Sequence, residues 1–238
     1  MTDKQSRPPS EAKQDQTTET PEYRNIPPDE LHRILEEHKK WVESEGKEGK
    51  YGNLNKANLK GARLGGVYLK GATLQYAYLV GADLQGANLE EAGLFGAFLD
   101  QANLMKANLQ EAMIKWASLQ GANLRGANLH GARLKNSFLK ESNLQDANLQ
   151  NADLCEANLQ NANLRGANLE NAWLVGANLQ GADLLGANLG ALLSGANLLG
   201  VKNFTPAQLD SAVFEWAPQL DPGFNPPPSP YLKEKDDS

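Results

Sequence analysis

The chain has a single cysteine in 238 residues, so it can build no internal disulfide framework and needs no oxidising compartment. Its three histidines, His32, His38 and His130, form no cluster with metal-ligand spacing, and no Ser-His-Asp set can be assembled around them. Apolar residues never run together for about eighteen positions, which excludes a membrane-spanning helix. The N-terminal stretch "MTDKQSRPPSEAKQDQTTETPEYRNIPP" has no apolar core of the secretory kind, leaving the cytoplasm as the default location. Basic charge is also short: the net charge is −6, so direct nucleic-acid binding is not expected. No phosphate-loop Lys-Ser follows any of the paired glycines. Accordingly no catalytic residue, cofactor or metal is expected, and the chain does not read as an enzyme.

What is present is a repeat of five. Leucine, or Ile114 in its place, occupies every fifth position from Leu54 to Leu189, 28 times in succession. Two positions earlier stands a small residue, nearly always alanine, with Gly52, Val67, Ser137 and Ser142 as exceptions. One residue is lost after Leu189, and the phrase resumes at 191–193 and 196–198. In a helix, successive leucines would turn by about 140° and smear over every face. In a flat strand, an odd period would throw them alternately to opposite sides. A chain that turns a corner every five residues keeps both Ala and Leu inward, with coils stacked at about 4.8 Å. No charge occupies either inward position of a regular repeat.

The tandem A-[N/D]-L-x-x phrase over residues 52–203 resembles the pentapeptide-repeat family. The resemblance implies an all-β solenoid, a right-handed quadrilateral parallel β-helix with four pentads to a coil. It implies little about activity, although some members of that family bind type II topoisomerases by imitating DNA.

Around this body the composition changes. Residues 1–26 are polar and Pro-containing and are expected to be disordered. Residues 27–51 hold a helix at about 28–44, with Leu31, Ile34, Leu35, His38, Trp41 and Val42 on one face and Gly46 to end it. It is expected to close the first coil, with Trp41 near Leu54. Residues 204–216 read as a second capping helix, started by Thr205, Pro206 and Gln208 and presenting Leu209, Ala212, Val213 and Trp216. Residues 217–238 form a Pro-rich acidic tail that could lie on the body at Leu220 and Phe224.

A coil of 20 residues sorts every outward side chain onto one of four faces. Two faces carry Asn or Asp before nearly every leucine, read as ladders between coils. The other two carry Tyr76, Tyr78, Phe95, Phe98, Met113, Trp116, Phe138 and Trp173, with Val80 and Val175. This aromatic edge supports two readings. It can stiffen the scaffold or be covered by the chain's own tail, or it can bind another protein or a second copy. A homodimer through the C-terminal helix or this edge is a further expectation. Cys155 is expected outward and incidental.

Charge separates the functional alternatives. Residues 52–202 carry a net +1, residues 1–51 a net −3 and residues 203–238 a net −4, so the acidity lies outside the repeats. A duplex mimic that inhibits gyrase needs dense negative charge along its length. The expected function is therefore a non-enzymatic rigid scaffold or protein-binding module, with an acidic DNA mimic as the alternative. The partner protein is not encoded in any recognisable motif.

Overall fold

Inside each pentad, leucine and alanine share the interior because the main chain folds a tight turn between them. Ala57 N–H donates to Leu54 O at 3.1 Å, and Lys56, between them, has φ of 52°. A positive φ only at the third residue of the turn is the type II geometry, which favours Gly or Asn there. Hence the glycines at the ends of pentads, such as Gly61 and Gly81, mark corners of the tube.

The structure, a computed structural model, describes residues 22–223. Its core is one continuous column. Every leucine of the series from Leu54 to Leu198, with Ile114, is buried, and the alanines two positions before them line the same interior. Successive coils pair in parallel. Leu54 N–H donates to Thr73 O at 2.7 Å, and Thr73 N–H donates back to Gly52 O at 3.1 Å. The offset of 20 holds from Asn53–Thr73 to Asn168–Asn188; it drops to 19 at Trp173–Leu192, absorbing the lost residue without breaking the column.

The Asn rows do two jobs. Asn148 Nδ2 donates to Asn128 Oδ1 at 3.1 Å, one rung of a ladder between coils. The same oxygen type closes a turn within its own pentad: Gln150 N–H donates to Asn148 Oδ1 at 3.2 Å. Asp can replace Asn as the acceptor in both roles, as Asp83 does for Asn103 and Gln85.

At the N-terminal end, strand β1 (Arg24–Asn25) pairs in parallel with β2 (Ala57–Asn58) and adds a rung above the first coil. Residues 22–26 therefore depart from the disorder expected of residues 1–26; residues 1–21 lie outside the described residues. Composition missed this because two backbone pairs and one aromatic ring suffice to hold so short a segment.

Helix α1 (Pro28–Glu43) follows, with Asp29 and Glu30 in its first turn. It ends within a residue of the expected 44: Glu45 and Gly46 both turn left-handed, with φ of 55° and 83°, and Gly46 N–H donates to Trp41 O at 2.7 Å. The wholly buried residue beneath this helix is His38, whereas Trp41 packs edge-on to Tyr51 at 5.1 Å. His38 Nδ1 accepts from Gly52 N–H at 3.0 Å, and its Nε2 lies 3.0 Å from Lys70 O. The first bond makes Nδ1 the bare nitrogen, so Nε2 carries the proton. Gly52 breaks the alanine rule because a Cβ there would stand 2.8 Å from His38 Cγ.

At the other end, Thr205 and Gln208 form the expected capping box, but α2 is only Pro206–Ser211. From Ala212 the chain is extended and rejoins the coil: Val213 N–H donates to Ala191 O at 2.9 Å, and Phe214 is buried. Thus 212–214 act as one more inward-outward-inward phrase, and the helical face through Trp216 does not form. Gln219 then pairs with Asn197. Leu220 packs against the core, and Phe224 lies outside the described residues.

Candidate functional site

The pairing register decides which aromatic residues meet. Tyr78, Phe98, Ser118 and Phe138 form one column of parallel bridges across successive coils. The corner before that column holds Tyr76, Gly96 and Trp116, and all three have positive φ. Tyr76 lies against Gly96, where a Cβ would stand 2.6 Å from the ring. It also meets Phe95 in a T-shaped contact, with centroids 5.5 Å apart. Gly96 is therefore a floor tile as well as a corner.

Together Tyr76, Phe95, Phe98, Trp116 and Phe138 line a shallow, mostly apolar groove of about 600 Å³. Its polar floor is satisfied internally: the Ser118 hydroxyl donates to Asp100, which also accepts from Gln120 N–H at 3.0 Å. Apart from Phe98, these aromatic side chains remain a third to a half exposed. The groove thus offers flat apolar faces and an indole N–H, but no paired acid and base.

Three expected residues stand elsewhere. Tyr78 is covered by Tyr23, whose ring lies 4.8 Å from it and 6.4 Å from Phe98. Met113 is exposed on the neighbouring column, outside the groove lining. Trp173 is separated from Met113 by Arg133 and Asp153 on that column, and it continues instead to Leu192 and Val213. With Leu192 and Val213 it forms a second apolar strip near the C-terminal end. Tyr23 is the participant that sequence reasoning overlooked. Its one signal was to be the sole aromatic residue of an otherwise polar segment.

The remaining chemistry is quiet. Cys155 is a free thiol whose pKa is pushed up to about 11, mainly by burial and then by Asp153 beside it, so it is protonated at neutral pH. His130 Nε2 pairs with Asn151 Nδ2 at 3.0 Å. Among the described residues no group of three or more His, Cys, Asp or Glu is placed to hold a metal. No helix among them is long and apolar enough to cross a membrane.

A family model described as pentapeptide repeats matches overlapping stretches at 53–90, 87–126, 122–161, 157–198 and 174–215. No curated relative matches the chain. Among solved structures, the chain is similar to HetL, a pentapeptide-repeat protein involved in heterocyst differentiation regulation in the cyanobacterium Nostoc. The identity is 34% over 68% of this chain and 82% of that one, with a TM-score of 0.40. It is similar to a pentapeptide-repeat protein of the Arabidopsis thaliana thylakoid lumen at 30% identity, over 41% of this chain and 66% of that one (TM-score 0.33). It is also similar to Rfr23 of the cyanobacterium Cyanothece at 33% identity, over 54% and 91% (TM-score 0.31).

Proposed function

The chain belongs to the pentapeptide-repeat family, and from that premise we propose that it is a non-enzymatic scaffold whose aromatic groove docks another protein. The observation that carries the reading is the convergence of five aromatic side chains on one groove of the tube. Aromatic residues on a fixed scaffold supply large contact area with few rotamers to freeze, which favours recognition. Two of them, Tyr76 and Trp116, occupy left-handed corner positions that Gly or Asn fills with less strain. The same corner admits Glu, Gln and Lys elsewhere, as at Glu91, Gln101 and Lys106, so what sets Tyr76 and Trp116 apart is the aromatic ring each presents to the groove.

In this reading α1 and residues 204–220 act as lids. They cover the first and last coils, whose open backbone edges would otherwise invite end-to-end stacking.

The test compares affinity capture from the native cell by the wild-type chain and by Phe98→Ala with Trp116→Ala, at matched circular dichroism. A protein retained by the first and lost by the second supports the docking role. The partner can also be a second copy, which a measured solution mass at several concentrations detects. Equal capture and equal mass for both chains overturn the reading.

A further inference from the structure

The groove does not end blindly. On the side that carries Phe98 and Phe138, a polar trough runs toward the C-terminal end past Lys140, Gln160, Gln180 and Leu199 to Asp221. Asp221 accepts from Gly200 N–H at 2.9 Å, which fixes the departing chain at the foot of that trough. Gly223, with φ of 101°, stands in a turn just beyond. The next residues in sequence are "FNPPPSPYLKEKDDS".

We propose that the chain's own proline-rich segment, Pro226–Leu232, runs back along this trough and lays Pro228–Leu232 in the aromatic groove. Three independent features favour that occupant. The first is chemistry: proline-rich chain in the polyproline II form is the ligand that aromatic-lined grooves recognise, because its shape is preformed and little entropy is lost on docking. Pro228, Pro230, Tyr231 and Leu232 supply the apolar rings and side chain, and Trp116, 53% exposed, presents its indole to the groove.

The second is reach. Gln219 belongs to the same column as Phe138, four coils below it, and Phe98 is two coils further. At about 4.8 Å per coil, the groove therefore spans roughly 19–29 Å above the last coil. Counted from Gly223 at about 3.1 Å per residue, Pro228–Leu232 spans roughly 16–28 Å. The third is the boundary: Tyr23 already covers Tyr78 and closes the groove at its N-terminal end. What stays open, from Phe98 to Phe138, is about 10 Å, the length of three or four extended residues.

This inference rests on the reading of the groove as a docking site and adds its regulation, since the tail would compete with any partner there. The test uses the full chain with Cys155→Ser as background. Ser229→Cys is combined either with Ser118→Cys in the groove or with His130→Cys on the opposite side of the same coil. In dilute protein and a glutathione redox buffer, the groove pair is expected to form an intramolecular disulfide at least about tenfold faster than the control pair. Adding Trp116→Asn should bring the two rates together. Equal rates without that substitution overturn the proposal, as does a disulfide found only between two molecules. Partner capture, repeated with a chain ending at Gly223, keeps the two readings apart. Capture that needs the groove while both pairs oxidise alike sinks the tail alone. A fast groove pair with no captured partner from the shortened chain sinks the docking role alone.

Discussion

Ser137 stands where the repeat places alanine, and its hydroxyl is buried without a hydrogen-bond partner among the described residues. Ser142, five residues on, makes the same replacement but donates to Leu139 O at 2.7 Å. A buried unsatisfied hydroxyl costs about 1–3 kcal/mol, whereas a satisfied one is close to neutral or favourable. Ser137→Ala should therefore raise stability by about 1 kcal/mol, and Ser142→Ala should lower it or leave it level. Thermal unfolding of the two variants side by side checks the difference; equal shifts would place Ser137 in a bond it does not make here. The two serines looked alike in the sequence because the period records which way a side chain points. It does not record whether the hydroxyl finds a carbonyl.

The join between α1 and the first coil depends on one imidazole. His38 accepts through Nδ1 and donates through Nε2, so a second proton on Nδ1 would meet the Gly52 N–H head-on. Burial holds its pKa below the ordinary 6.5, outweighing the bond to Lys70 O. The unfolded or detached helix thus binds more protons in the window below that value. The stabilisation is present above about pH 6.5 and is lost as pH falls toward the folded-state value. Hydrogen exchange of the α1 amides should accelerate between pH 7 and 5 after correction for intrinsic rates. His38→Phe should remove that pH dependence, and an unchanged wild-type profile would refute the coupling. The helix itself was legible from its apolar spacing, and Gly52 advertised the contact by breaking the alanine rule. The end of the second helix was not legible. Leu209, Ala212, Val213 and Trp216 fit a helical face, while Ala212–Phe214 equally fit the inward-outward-inward phrase. The free carbonyl of Ala191 on the last coil decides for the coil.

Across the whole molecule the period of five settled the column, the register and hence which outward residues could share a face. It could not settle which of them meet. Trp173 shares a face with Met113, yet Arg133 and Asp153 keep it from the groove, and Tyr23 arrived from a segment that composition had set aside. Stability and recognition should therefore separate in this tube, because the interior leucines hold the coils together and the groove lies wholly on their outer surface. Trp116 is the decisive residue: it is 53% exposed, and it holds φ of 61° at a corner. Asparagine occupies the same corner one coil on, at Asn136, with φ of 60°. Relief of a left-handed bulky residue is worth about 1 kcal/mol, while the buried half of the ring contributes roughly 2–3 kcal/mol by area. Trp116→Asn should consequently keep the coil fold with a loss of no more than about 2 kcal/mol while losing whatever the groove binds. A variant destabilised by more than about 3 kcal/mol would make the indole a structural brace between coils, and the groove would lose its strongest claim to be a docking surface.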